Sequence, residues 1–295
     1  MHRTLFPGRL TRRLRPRKIN RSAFGGFLAF LVLGLLGVFM LLPLVYAFVS
    51  AFKPMDEIFL FPPRFFVANP TLDNFVQLTQ ILSNYWVPFS RYLFNSAFVT
   101  VAATVGNVIF ASMAAYPLAK HRFPGKKVLS EIIVLALLFT PQVIYIPQYI
   151  IIAKLGMINS YWALILPVVA MTLGVYLMKQ FMTQIPDSLL EAARIDGAGE
   201  LRTWWTIVMP SVKPAWLTLV IFAFQQIWNQ PGNSYIYDES MKVLPSIMVQ
   251  VQAGGLARAG VVAAVTLVMM LPPLVLFQLT QKSVIETMTT SGIKE

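Results

Sequence analysis

Residues 191–210 read EAARIDGAGELRTWWTIVMP, a polar stretch set between two strongly apolar segments. Just upstream, Pro186 suits a first helical turn, and Asp187 places an acid where the N-terminal end of a helix dipole favours one. Good helix formers then run from Asp187 to Asp196, with Leu189, Ala193 and Asp196 spaced along one side. Ala192 and Ala193 leave room for another backbone to approach closely. Gly197 ends the helix, because glycine takes positive φ without steric cost. A second helix over about Glu200–Val208 carries Leu201, Trp204, Trp205 and Val208 on an apolar side, and Pro210 and Pro214 control entry into the next apolar segment. Helix, sharp turn, helix and re-entry form a mechanical contact surface rather than a ligand site.

The surrounding chain is membrane-like. Of its 295 residues 57% are hydrophobic and only 12% charged, with a mean hydropathy of +0.65, against about a quarter charged in soluble domains. The absence of cysteine excludes disulfides, thiolate metal sites and cysteine nucleophiles. The only histidines, His2 and His121, sit among arginines and lysines, which disfavours a bound cation.

A helix needs about 20 apolar residues to cross the hydrocarbon core. Six segments fit: Ala23–Phe52, Tyr92–Ala119, Val128–Ile152, Tyr161–Phe181, Ala215–Trp228 and Ala259–Thr280. The fifth is short and borrows turns from Val212 or from Asn229 onward. The predicted fold class is therefore all-α, a polytopic membrane protein with six transmembrane helices. Lysines and arginines orient it. Eight lie in residues 1–21, four in Lys120–Lys127, four in Lys179–Lys213 and two in the C-terminal tail, against three, one, and one or two in the alternate loops. That places both termini in the cytoplasm. The basic run before the first span reads as a positive-inside and headgroup signal rather than a nucleic-acid arm, and its apolar run is too long for a signal peptide. The organisation is a basic cytoplasmic tail over residues 1–22, one membrane domain over 23–281 with a cytoplasmic loop at 182–213, and a cytoplasmic tail over 282–295.

The first outer loop, Lys53–Arg91, holds five prolines and reads as an ordered cover with a short helix near Leu72–Leu82. Val243–Val251 is too short to span and reads as an interfacial or re-entrant helix. Pro141 and Pro147 bracket a bent, polar-flecked middle of the third span, suited to lining a cavity.

Catalytic motifs are missing. Pro124-Gly125-Lys126-Lys127 lacks the first glycine and the hydroxyl residue of a phosphate loop. No metalloprotease, nucleophile-elbow or dinucleotide motif occurs, and no paired carboxylate lies mid-membrane. A membrane enzyme or an ion-coupled secondary transporter, the rival classes, would need such groups.

The order Glu191-Ala192-Ala193, Gly197, Ile207 and Pro210 resembles the loop of the permease subunits of type I ABC importers. Residues 114–125, 140–147 and 159–167, with 53–59 and 69–75 in the first outer loop, resemble the smaller six-span member of the maltose-type carbohydrate permease pair. Met209 replaces the usual leucine, Trp204 a common phenylalanine, and Trp228-Asn229-Gln230-Pro231 lacks the usual acid.

The resemblance implies a heterodimer with a second permease, two ATP-binding subunits that use ATP and Mg, and an extracytoplasmic solute-binding protein, all at a bacterial or archaeal plasma membrane. It implies no cofactor in this chain, no nucleic-acid partner, and a sugar or oligosaccharide as cargo, with polyamine or glycerol phosphate as alternatives. By position, Glu191, Ala192, Ala193, Asp196, Gly197 and Pro210 would be coupling residues, Glu191 pairing with a base of the ATPase, and the tail Ile285–Glu295 would reach the ATPase dimer or be merely solvated. Arg194 and Arg202 read as surface charge. Candidate solute-path residues are Asn95, Gln142, Tyr145, Tyr149, Gln225 and Gln226, with Asn107 and Tyr176 further polar positions; amides in spans also bind neighbouring helices.

Overall fold

The computed structural model describes residues 23–83 and 86–291. The basic tail over residues 1–22, and residues 292–295 of the C-terminal tail, lie outside the described residues. The chain divides into two compact units, Met1–Tyr46 and Ala47–Glu295. Most of helix α1 (Ala23–Ala51) belongs to the first unit. Its side chains are apolar and exposed almost throughout, as expected of a segment whose solvent is lipid.

In the second unit every described regular element is helical. After α2 (Met55–Ile58) and α3 (Asp73–Ser83) comes α4 (Phe89–Lys120), about 46 Å long at 1.5 Å per residue. It packs against α7 (Trp162–Val169), α8 (Thr172–Thr183) and α12 (Lys213–Trp228). One face of α4 buries Asn95, Val99, Ala103, Asn107, Ala111 and Ala115, while Phe94, Phe98, Val101, Val105 and Phe110 stay exposed on the other. Small and amide residues inward with large apolar residues outward is the pattern of a helix packed among helices in lipid. The close approach extends to Gly174 of α8, where an added Cβ would meet Ala111 Cβ at 3.0 Å and Leu219 Cδ1 at 3.2 Å. Helix α14 (Ala259–Ser291) packs against α12, α3 and α13 (Leu244–Gln252).

Among the described residues, four helices are long and apolar enough to cross a membrane, or six if each of two bent pairs counts as one span. The third segment is bent, as its prolines suggest, but the bend lies elsewhere than between them. It is two helices, α5 (Lys126–Ala136) and α6 (Pro141–Lys154), that meet at 111°. The break falls before Pro141 rather than between Pro141 and Pro147. Thr140 is extended at φ −76°, ψ 151°, because the proline ring disfavours the helical conformation in the residue before it. The fourth segment is broken between α7 and α8 by extended Met171. There the buried Asn107 Nδ2 donates to Val168 O at 2.7 Å and Val169 O at 3.2 Å, and Val168 O also accepts from the N–H of Met171 at 3.1 Å. Loss of the Asn107 amide would cost about 1–3 kcal/mol for a carbonyl left unpaired.

The fifth segment is α12, 16 residues long. It is preceded at an 83° bend by a shorter helical run from Glu200 to Ser211. The sixth continues to Ser291, so the expected boundary at residue 281 falls inside a helix.

The described residues of the first outer loop form short helices and bonded turns, as its prolines suggest. Glu57, only 4% exposed, accepts from the N–H of Ala68 at 3.0 Å and of Asn69 at 2.8 Å. Buried Asn74 Nδ2 donates to Ala51 O and Lys53 O. The short helices expected near residues 72–82 and 243–251 are α3 and α13.

Candidate functional site

The polar stretch folds as α9 (Asp187–Ile195), α10 (Glu200–Thr203), a π-helical turn at Trp204–Val208 and α11 (Met209–Ser211). Pro186 sits at the N-cap, one position before the first turn, and Asp187 opens the helix. At the other end Gly197 has φ +77°. The N–H of Gly197 donates to Arg194 O at 3.0 Å and that of Ala198 to Ala193 O at 2.9 Å. This pair of bonds is a Schellman cap, which requires a left-handed residue where Gly197 stands.

Which face of α9 turns inward differs from the sequence reading. Leu190 and Ala193 are buried, and Leu190 packs in a cluster with Tyr116, Met178, Met182, Trp204 and Val208. Leu189 is exposed instead. Ala193, expected at a partner surface, therefore faces this chain's own core. Glu191, Ala192, Ile195, Asp196 and Gly197 remain exposed, Ile195 at 86%. Leu189, Ala192 and Ile195 follow one another at intervals of three, so the outward side of the helix carries an apolar strip edged by Glu191 and Asp196. Leu201 and Trp205 are also exposed, 70% and 61%, while Trp204 and Val208 are buried; the expected single apolar side of the second helix is split. Pro210 is exposed at the 83° bend, beside Trp205, Met209, Lys213 and Trp216, and not on α9 with the other expected coupling residues.

Lys120, Asp187, Tyr116, Glu200 and Arg194, none of them among the expected site residues, hold this hairpin. Lys120, at the end of α4, donates to Asp187 Oδ1 at 2.8 Å, to Ile185 O and to Thr183 O. It thereby joins the last turn of α8 to the first of α9. The Lys120 hydrogen bond and charge hold the Asp187 carboxyl below the ordinary aspartate range. A depressed carboxylate keeps its pairing at neutral pH and loses it only as pH falls through that lowered value. Tyr116 Oη donates to Glu200 Oε2 at 2.9 Å. His121 Nε2 lies 3.3 Å from the same oxygen without hydrogen-bond alignment. Arg194, read from sequence as surface charge, donates to Glu200 Oε1 at 3.1 Å. Tyr116, Lys120 and His121 belong to the stretch 114–125, whose Ala-Ala-Tyr-Pro-Leu-Ala-Lys-His order was the available signal.

The expected solute-path residues do not form one site. Asn95 is fully buried and committed: its Nδ2 donates to Ser240 O and Lys242 O at 2.8 and 2.9 Å, and its Oδ1 accepts from Tyr161 Oη at 2.7 Å. It braces the segment at Ser240–Lys242. The Nδ2 of Asn107 is taken up by the α7 end. Gln225 and Gln226 are exposed on α12, and their side-chain amides have no partner among the described residues. Gln142 lines a cavity of about 370 Å³ with Pro141 and Tyr145. Tyr145 and Tyr149 line another of about 360 Å³ with Ile146, Ser234 and Tyr237. Ser234 and Tyr237, far away in sequence, are new to the candidate site. Tyr145 Oη donates to Ser234 Oγ, Tyr237 Oη donates to Ser234 O at 3.1 Å, and Gln148 Nε2 donates to Tyr235 Oη at 3.1 Å.

Long apolar helices, and a polar hairpin held at one end of α4 with an apolar strip turned outward, define a membrane subunit. Residues 107–282 match the family model described as binding-protein-dependent transport system inner membrane component, and the chain belongs to that family. It is a permease subunit of a binding-protein-dependent ABC importer. Among its relatives, protein LplC of Bacillus subtilis (strain 168) is 29% identical over 90% of this chain and 92% of its own length. The sn-glycerol-3-phosphate transport system permease protein UgpE of Yersinia enterocolitica is 36% identical over 68% of this chain and 72% of its own. A solved bacterial ABC transporter involved in the import of the acidic polysaccharide alginate has the same fold. It matches at a TM-score of 0.73 and 22% identity, over 89% of this chain and 98% of that one.

Proposed function

We propose that this subunit crosses a bacterial or archaeal plasma membrane six times with both termini in the cytoplasm. It pairs with a second permease and is driven by two separate ATP-binding subunits that hold the ATP and Mg. An extracytoplasmic binding protein delivers the solute. The observation that carries this reading is the outward strip Leu189, Ala192 and Ile195 with Glu191 and Asp196 at its edges. An exposed apolar strip rimmed by polar residues is a mark of a protein–protein contact site. Glu191, Ala192, Asp196 and Gly197 are the docking residues. Ala193 supports them from beneath, and Pro210 sets the bend that returns the chain to the membrane.

The cargo is a sugar or oligosaccharide. The cavity lined by Tyr145, Tyr149, Tyr237 and Ser234 offers aromatic faces and hydroxyls, and its lining holds no cation and no acid. That chemistry suits a neutral polyhydroxylated ring. A phosphate ester would call for a basic group and a polyamine for carboxylates. The second reading, glycerol phosphate, is favoured by the UgpE relatives. Uptake of labelled oligosaccharides and of glycerol 3-phosphate by the reconstituted importer separates them. Sugar uptake is expected, with Tyr149→Ala lowering it about tenfold, the rate equivalent of one lost stacking contact of about 1.4 kcal/mol. Glycerol phosphate uptake without sugar uptake would overturn the cargo assignment.

A further inference from the structure

Helix α4 is tied at both ends by the same chemistry. At the hairpin end Tyr116 Oη donates to Glu200 Oε2 at 2.9 Å. At the opposite end Tyr92 Oη donates to Glu239 Oε1 at 2.6 Å. The two tyrosines are 24 positions apart, about 36 Å along the helix, a span that exceeds the hydrocarbon thickness of about 30 Å. Each glutamate is itself gripped from a second side. Glu200 Oε1 accepts from Arg194 at 3.1 Å, which closes α9 onto α10. Glu239 Oε2 accepts from Lys242 at 2.6 Å, and Gln250 Nε2 of α13 lies 3.2 Å from Oε1. Asn95, one turn from Tyr92, adds its two bonds to Ser240 O and Lys242 O. The outer segment held this way is continuous with Ser234 and Tyr237, which line the tyrosine cavity.

Between its two ends α4 buries a continuous stripe against α7, α8 and α12. Close-packed interiors are poorly compressible and pass displacement on rather than absorb it. The two carboxylate oxygens of Glu200 divide the labour: one closes the hairpin, the other holds α4.

We propose that α4 is the rod that carries movement of the docking hairpin to the outer segment beside the solute cavity, with Glu200 and Tyr116 as its inner joint and Tyr92 and Glu239 as its outer one. These are positioning residues; none touches solute or nucleotide. The proposal rests on the reading of α9 as the ATPase-docking helix.

The test uses the complete importer in lipid vesicles, measuring solute uptake and ATP hydrolysis on the same preparation. Tyr116→Phe removes one hydroxyl and keeps the ring. Tyr92→Phe does the same at the outer joint, and Glu200→Gln removes the charge. Each is expected to lower uptake per ATP hydrolysed about fivefold or more, the lower end of measured coupling effects. Because Tyr116 and Glu200 act through one joint, the double variant should be no worse than the poorer single one. A purely structural role would lower the amount of assembled complex and leave the ratio unchanged; that result, or single effects that multiply, would overturn the proposal. Should Glu200→Gln be too unstable to assemble, Tyr116→Phe and Tyr92→Phe decide alone. Glu191→Lys on the same vesicles separates the two levels. If it abolishes uptake while the tyrosine variants keep their ratio, the rod is wrong and the docking helix stands. If Glu191→Lys is also without effect, the docking reading itself fails.

Discussion

Glu191→Lys is expected to give a subunit that folds and inserts normally but imports at least tenfold less solute for the same ATPase content. The side chain is exposed on α9 and has no ion pair or hydrogen bond among the described residues, so reversing its charge removes nothing the fold uses. Surface substitutions of this kind usually fall within about 0.5 kcal/mol of neutral for stability. At an interface the balance is different. A carboxylate facing a base of the ATPase becomes an ammonium facing that base, and like-charge juxtaposition costs several kcal/mol. Each 1.4 kcal/mol is tenfold in binding. Uptake by reconstituted vesicles, set against the yield of purified subunit, reads both halves of the prediction. Wild-type uptake by the variant would remove Glu191 from the docking surface.

Substitution of Gly197 is expected to damage docking in an order set by backbone conformation and not by side-chain size. The residue has φ +77°, and a Cβ added there would meet nothing within 4 Å. Crowding against this subunit's own atoms is therefore excluded as a cause, and what remains within the subunit is the left-handed backbone. Asparagine visits that region several-fold more often than other residues with a side chain. Alanine costs about 1–2 kcal/mol there, and branched valine is a stronger outlier. ATPase-subunit capture by the solubilised permease should fall in the order Gly, Asn, Ala, Val, with Gly197→Val retaining less than a tenth. An order that follows size, with alanine better than asparagine, would show that the cap is not what positions α9.

The sequence reading found the features that depend on one residue's own chemistry. Gly197 could be read because few residues other than glycine tolerate its conformation, and the chain does turn there. The proline-rich outer loop was legible as ordered, and the lengths of α3 and α13 followed from their apolar runs. The misreadings arose where packing decides. Leu189 and Leu190 are equally plausible inward residues until the cluster around Met178, Met182 and Trp204 is known. Helical phase was lost again at Leu201 and Trp205, because the run from Trp204 to Val208 is π-helical and its wider turn breaks the 3.6-residue count. The break before Pro141 is within reach of the rule for residues preceding proline, whereas the two prolines by themselves point to a bend between Pro141 and Pro147. Asn95 reads as a solute ligand until Ser240 and Lys242, some 145 positions on, claim its amide. Ser234 and Tyr237 carry no local mark that would join them to Tyr145 and Tyr149.

The central claim is that the outward side of α9 is covered by the ATPase. Because the chain has no cysteine, Ile195→Cys creates a single thiol on a side chain that is 86% exposed. In the assembled importer, a short bifunctional thiol reagent should join this cysteine to an ATP-binding subunit, and membrane-impermeant maleimide added outside intact cells should not label it. Labelling from outside, or cross-linking to the solute-binding protein and never to the ATPase, would contradict the account.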